Sequence, residues 1–196
     1  MQSLRVLDVD IYGSGVLDLS DRPSLRRAAL RAMRGRVPRL NLPDALVELH
    51  IHGSTGVKEL GDVPRALRIL SITGDYEGVD FEKLRHLDHL EELEIESLSL
   101  QNLDALGELL SLQRLTLSAP GIGTLDALGN HPSLSRITLS RCNSLESISA
   151  LLSIANLSEV VIVGGAERLS AEDVNSLGSI VTEFQPFDET VGHGGS

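Results

Sequence analysis

Residues 132–151 read PSLSRITLSRCNSLESISAL, and apolar side chains recur along them at fixed spacings. The first three apolar positions follow the form apolar-x-x-apolar-x-apolar, and such alternation is typical of a strand with one buried face. A second apolar set follows at intervals of three residues. The two sets are Leu134, Ile137 and Leu139, and then Leu145, Ile148 and Leu151. A segment this short cannot enclose these side chains alone. The pattern therefore predicts a unit that packs against copies of itself.

The same pattern occurs eight times in the chain. The first apolar residues of the units are Leu4, Leu25, Leu46, Leu67, Leu90, Leu112, Leu134 and Leu157, with spacings of 21, 21, 21, 23, 22, 22 and 23 residues. A period held this constant predicts one solenoid of about eight repeats over residues 1–184. Only 3% of the residues are aromatic and none is Trp, so we expect an aliphatic core.

These units resemble the leucine-rich-repeat family, whose pattern is L-x-x-L-x-L-x-x-[N/C]-x-x-L, over residues 3–178. The resemblance implies an α/β fold: a curved, horseshoe-shaped solenoid with a parallel β-sheet on its concave face and short helices, 3-10 turns or loops on its convex face. The family's Asn, eight residues after the first Leu, is absent here. That position holds Tyr12, Met33, Ser54, Asp75, Leu98, Pro120, Cys142 and Gly165. Because that Asn bonds neighbouring turns in the family, we expect less regular turns.

Residues 23–36 leave two interpretations open. They are rich in Ala, Leu and Arg, which favour an amphipathic helix. However, Leu25, Ala28 and Leu30 align with the first three apolar positions of the other units, so we interpret the segment as a degenerate repeat.

The two ends of the repeat differ. SAED, residues 170–173, has the form of a capping box before an apolar pattern, so we predict a closing helix near residues 171–183. Residues 185–196 are Gly-rich and polar and are predicted to form a flexible tail. The first strand begins near Leu4 without a capping segment, so we expect a second copy, as a homodimer, or an upstream domain of a longer protein to cover its edge.

The charge and the composition of the chain limit the classes of molecule that it is expected to bind. A formal net charge of −11 disfavours nucleic acid and anionic membranes, since both bind chiefly through Lys and Arg. The exception is a basic cluster in the second repeat, for which we favour a charged lateral face or docking to another domain over a phosphate site. Its members are Arg26, Arg27, Arg31, Arg34, Arg36 and Arg39. Cys142 is a single cysteine, and the sequence has neither a signal peptide nor an apolar run of membrane-spanning length, so we expect a cytoplasmic protein.

Alternate strand residues should share the exposed face of the sheet, which in the family is the concave, partner-binding surface. The predicted partner-binding residues are Glu48, His50, His52, Ser71, Thr73, Glu92, Glu94, Glu96, Arg114, Thr116, Arg136 and Thr138. The three carboxylates at 92, 94 and 96 suggest an acidic site for a basic peptide. The alternative is a solvated face with cross-strand ion pairs between Glu92 and Arg114 and between Arg136 and Glu159.

Tests for catalytic and metal-binding motifs give no convincing site. His50 and His52 have the spacing of zinc ligands, but neighbouring strands supply no third ligand, and we predict neither a metal nor a cofactor. GSTGVK, residues 53–58, lacks the spacing of a phosphate-binding loop, and Gly121 and Gly123 fit a bend after a strand. Cys142 occupies a position inside a repeat where a buried small side chain is expected.

We therefore predict a non-enzymatic scaffold that binds a protein or peptide along the concave sheet. The alternative is a sensor or autoinhibitory segment of a larger immune-type signalling NTPase, because the repeat around Cys142 resembles those of plant resistance proteins. A metal- or phosphate-dependent enzyme is the least favoured interpretation.

Overall fold

The computed structural model describes residues 3–12, 15–34, 39–53, 63–74, 81–98, 100–165 and 167–185. Within these residues the chain forms strands joined by turns and short helices. The strands are β1 (Val6–Tyr12), β2 (Val16–Asp18), β3 (Arg27–Arg34), β4 (Arg39–Asn41), β5 (Glu48–Gly53), β6 (Ile69–Gly74), β7 (Glu92–Glu96), β8 (Arg114–Ser118), β9 (Arg136–Ser140), β10 (Glu159–Val163) and β11 (Val181–Gln185). The α-helices are α1 (Asp104–Gly107) and α2 (Ala171–Ser176), and 3-10 helices span Phe81–His86, Asp126–Leu128, Ser149–Ser153 and Gly178–Ile180.

Nine of the strands form one parallel sheet in the order β1-β3-β5-β6-β7-β8-β9-β10-β11. Each strand pairs with the next sheet strand along the chain, and the register joins residues one unit apart, as between Leu93 and Leu115. The short strands β2 and β4 form a separate parallel pair. The protein is therefore an α/β structure with a parallel sheet and few short helices.

The start of each unit repeats the same backbone hydrogen bonds. At β8 the N–H groups of Gln113 and Arg114 both donate to the Glu91 carbonyl oxygen of the preceding unit, at 2.8 and 3.0 Å. The equivalent bonds occur at every step from β3 to β10. Residues spaced 21 to 23 apart in the sequence thus share one backbone environment.

One face of the sheet and the connecting segments enclose a single aliphatic core. Leu49 and Ile51 of β5 are fully buried, and so is Leu106 of α1. The connections lie close together: a Cβ added to Gly107 would be 2.3 Å from the carbonyl oxygen of Ala127 in the next connection. Only glycine allows this approach, since real Cβ contacts are not that short.

Side chains also join neighbouring units, at the residue just before the first Leu of a unit. Ser111 Oγ donates to the Asp88 carbonyl at 2.6 Å, Ser133 Oγ to the Leu110 carbonyl at 2.7 Å, and Asn156 Nδ2 to the Pro132 carbonyl at 2.6 Å. The donors and the acceptors are each one unit apart. Units are therefore linked at the start of the strand as well as at the position eight residues after the first Leu, where Cys142 Sγ lies 3.8 Å from the Leu117 carbonyl oxygen of the preceding unit.

His131 is buried between two units, with 3% of its surface exposed. Its Nε2 lies 3.1 Å from the Leu109 carbonyl oxygen, and its Nδ1 lies 3.1 Å from the Leu134 backbone N–H nitrogen and 3.4 Å from that of Ser133. These partners require a proton on Nε2 and a lone pair on Nδ1, which is the neutral ring. Burial lowers the pKa of His131, the Leu109 carbonyl opposing this in part.

The predicted strands of all eight units fall at β1, β3 and β5 to β10. Residues 27–34 within the Arg-rich segment are a strand, not a helix. The cause is packing: Ala28 and Leu30 are fully buried between β1 and β5, which outweighs helix propensity.

The closing helix expected over residues 171–183 is shorter than predicted. Its capping box is present, since Ser170 Oγ accepts from the Asp173 N–H at 3.0 Å and Asp173 Oδ2 accepts from the Ser170 N–H at 3.1 Å. The helix α2 ends at Ser176, and Gly178, at φ +55°, turns the chain into β11. Of the predicted tail, residues 185–196, all but Gln185 lies outside the described residues. No helix in the described ranges is both long and apolar enough to cross a lipid bilayer.

Candidate binding face on the parallel sheet

Residues that alternate with the buried ones project from the other side of β1, β3 and β5 to β10, and we call this side the outward face. The pairing register aligns them in three rows across the sheet. The central row runs Asp8, Ala29, His50, Ser71, Glu94, Thr116, Thr138 and Val161. All twelve residues predicted to bind a partner lie on β5 to β9 in these rows, so the sheet brings them together on one surface.

A depression of about 330 Å³, the central depression, lies in the middle of the outward face. Eight of the twelve predicted residues line it: His50, Ser71, Glu92, Glu94, Arg114, Thr116, Arg136 and Thr138. The remaining four lie on the same strands but not in its lining. Ser71 is 2% exposed and forms part of the wall although it carries a hydroxyl group. The lining combines these polar and charged side chains with the apolar residues Ile69, Leu70, Leu93 and Leu115.

Most of the charged groups on the outward face are paired across strands. Glu92 pairs with Arg114, and Arg136 pairs with Glu159, as the ion-pair interpretation predicted. Glu96 pairs with Arg141, which follows β9 and reaches across β8. Because these side chains are partly exposed, each pair adds about 0.2–1 kcal/mol and chiefly supports the register.

Glu94 differs from the two carboxylates beside it. Its Oε2 accepts a hydrogen bond from Ser71 Oγ at 2.6 Å, and no ion pair with a described cation is formed. Glu92 and Glu96, its neighbours on β7, are each neutralised by an arginine. The uncompensated negative charge of the central depression therefore lies on Glu94.

The two predicted histidines bind other side chains. His50 Nε2 lies 2.7 Å from Glu48 Oε1, and Glu48 also faces Arg27 Nη1 at 3.4 Å. His52 Nδ1 bonds Thr73 Oγ1. Within the described part of the chain, no three His, Cys, Asp or Glu side chains are arranged to hold a metal ion.

The basic cluster of the second repeat is divided among different contacts. Arg31 bonds Asp10 at 2.8 Å and Asp8 at 2.7 Å, and these carboxylates raise the pKa of its guanidinium. Arg26 donates to two nearby carbonyl oxygens. The side chain of Arg34 and the whole of residue 36 lie outside what the structure describes. The arginines that are seen therefore do not converge on one anion site.

The residues considered for catalysis are in structural positions. Cys142 is 1% exposed, its Sγ lies 3.5 Å from the Ser140 carbonyl oxygen, and burial raises the pKa of the thiol. Gly121 lies in the turn after β8, as expected of a bend. Residues 54–58 of the GSTGVK stretch lie outside the described residues.

The ion pair of Arg141 was not foreseen from the sequence. Its partner Glu96 is 45 residues away, and Arg141 adopts φ +51°, a left-handed conformation that periodicity does not reveal. Together with Leu98 and Pro120 it lines a second depression of about 340 Å³ near the carboxyl ends of β7 to β9.

No protein-family model matches this sequence, and a search of curated proteins also finds no match.

Proposed function

We propose that this chain is a leucine-rich-repeat solenoid that acts as a non-enzymatic scaffold and binds a protein or peptide on its outward face. The proposal rests on a fold in which residues one unit apart share the same backbone bonds and the same register. In this proposal the outward face is the concave face of the solenoid.

The central depression carries the proposal. It joins side chains from five neighbouring strands, β5 to β9, and its polar groups lie on a sheet held by backbone pairing on both sides. Such a surface is formed before a partner arrives, so little conformational entropy is lost on binding. Its volume of about 330 Å³ leaves room for a side chain of the partner.

The charges indicate the kind of partner. Since Glu94 lacks a cation while Glu92 and Arg136 have their counterions, we propose that the partner places a Lys or Arg side chain against Glu94. A charge-assisted hydrogen bond of this type contributes about 1.5–3 kcal/mol, or about 10- to 100-fold in affinity.

The test compares partner capture by three proteins: wild type, a Thr116→Arg/Thr138→Arg variant that fills the central depression, and a Ser149→Arg control. Ser149 is exposed on a connecting segment, away from the outward face. Bound proteins are quantified by mass spectrometry, and circular dichroism verifies that each variant is folded. We expect the filled variant alone to lose the captured partner.

A second variant, Glu94→Gln, tests the chemistry with the partner so identified. We expect its dissociation constant to rise by about tenfold or more at low salt, because the neutral amide removes the charge-assisted bond. Retention of the partner by the filled variant would contradict binding on this face. An unchanged constant for Glu94→Gln would contradict only the basic contact.

A further inference from the structure

The edge strand β1 is less buried than the equivalent strands of the following units, β3 and β5 to β10. Leu4, the first apolar residue of its unit, is 44% exposed, whereas its equivalents Leu25 and Leu46 are fully buried. Leu7 and Val9 are only partly buried against the core, although they occupy core positions. The apolar core therefore remains partly open to water at β1.

The backbone of β1 also has an open edge. The Arg5 carbonyl oxygen accepts from the Arg26 and Arg27 N–H groups of the β3 unit. In the plane of the sheet, the backbone N–H and C=O groups of successive residues point to opposite sides of the strand. Those of Leu7 and Val9 therefore point toward β3, as the Arg5 carbonyl does. Those of Val6, Asp8 and Asp10 point to the open edge. Among the described residues no strand lies on that side of β1.

The charge on β1 is unbalanced. Asp8 and Asp10 share one guanidinium, that of Arg31, and both carboxylates remain 40% or more exposed. Further along the sheet, pairs such as Glu92 and Arg114 match one carboxylate with one guanidinium. Arg31 shows that one side chain on a neighbouring strand can reach both Asp8 and Asp10. A second cation, on a strand at the open side, would therefore give each carboxylate its own counterion.

We propose that β1 binds an extended segment of another polypeptide, which adds a strand along its open edge and places a Lys or Arg side chain against Asp8 and Asp10. Apolar side chains of the same segment, alternating with the basic one, cover Leu4, Leu7 and Val9. A second copy of this chain fits less well, because two β1 strands paired antiparallel about Val9 would set Asp8 opposite Asp10 of the other copy. This proposal is independent of the function proposed for the central depression.

The probe is a synthetic peptide with the sequence of residues 23–34, PSLRRAALRAMR, because this segment already pairs with the opposite edge of β1. If the peptide pairs with the open edge of β1 in the register that β3 uses, its Arg31 lies beside Asp10 and its apolar residues cover the open end of the core. The matched control peptide carries Arg31→Glu. Binding is measured on the full chain by fluorescence anisotropy and by amide hydrogen exchange of β1.

The decisive variant is Asp8→Pro. The N–H of Asp8 points to the open edge, so proline leaves the pairing with β3 intact and blocks a new strand. We expect the peptide to slow exchange at Val6, Asp8 and Asp10 on the order of tenfold in the wild type, with little change at Leu7 and Val9. Asp8→Pro should keep the melting temperature and lose peptide binding, and Asp10→Asn should weaken binding about two- to fivefold.

Three results would overturn the proposal. The first is equal binding of the wild-type and Arg31→Glu peptides, and the second is equal binding of the peptide by wild type and Asp8→Pro. The third is a dimer of the wild-type chain, seen by light scattering, that Asp8→Pro converts to a monomer, because a second copy would then occupy the edge.

Discussion

Replacing His131 tests whether a neutral, buried imidazole joins two units of the sheet. His131→Ala leaves the Leu134 N–H without a partner in a site that is 3% exposed. It also removes one of two bonds to the Leu109 carbonyl oxygen, which still accepts from the Leu112 N–H at 2.8 Å. An unpaired buried group costs about 1–3 kcal/mol, so the free energy of unfolding should fall by about 1–3 kcal/mol. His131→Asn should cost less, because Asn Oδ1 can still accept from the Leu134 N–H, as an N-cap residue does.

The same residue predicts a dependence on pH. Burial lowers the pKa of folded His131 below its ordinary value of 6.5, so the unfolded chain binds a proton that the folded chain does not. The stabilisation is complete above about pH 6.5 and is lost as the pH falls from there through the folded-state pKa. The slope for this one proton is at most about 1.4 kcal/mol per pH unit.

Urea unfolding followed by circular dichroism, at about pH 8 and about pH 5.5, measures this loss in wild type and in His131→Asn. Most carboxylates stay ionised in this range, and the other histidines are common to both proteins, so their effects cancel in the comparison. Wild type should lose more stability than His131→Asn. Equal losses in the two proteins would refute a neutral buried imidazole at this position.

Three further changes probe the packing. Gly107→Ala should lower the melting temperature by several degrees in a thermal scan, since its Cβ would meet a carbonyl oxygen at 2.3 Å. Gly123→Ala, whose Cβ would have its nearest atom at 3.9 Å, should be tolerated, and similar shifts in the two variants would contradict the close approach at Gly107. Cys142 should react with a thiol reagent slowly in buffer and rapidly in urea, and fast reaction of the folded protein would rule out its burial. Leu134→Ala should lower the free energy of unfolding in urea by about 2–5 kcal/mol, and Leu4→Ala should lower it by about 1 kcal/mol or less. Equal losses would show that β1 is packed like the interior of the sheet.

The strand positions and the outward rows could be predicted because both follow from one repeated unit. Once Leu134 and its equivalents are aligned, period-two alternation decides which residues face the core. The same alignment could have identified the inter-unit bonds of Ser111, Ser133 and Asn156, since all three precede the first Leu of a unit. The family's pattern, by contrast, places its bonding residue eight positions after that Leu.

Other features depend on contacts that no local pattern encodes. The strand β11 forms because β10 offers a free edge and Gly178 ends the helix before it, while the sequence from Val174 onward also suits a helix. The pairing of Glu96 with Arg141 depends on a left-handed residue after β9. The identity of the unpaired carboxylate, Glu94, follows only from these contacts.

Pairing between successive strands also has a consequence for the order of folding. Almost every sheet contact joins residues one unit apart, so any two adjacent strands can form a nucleus and others can be added outward from it. Among the sheet strands whose side chains the structure describes, β1 is the least buried, so it should be added late and fray early. From β1 to β8, native-state hydrogen exchange should therefore show opening free energies that rise along the sheet, and a segment bound at β1 would raise the low end of that gradient.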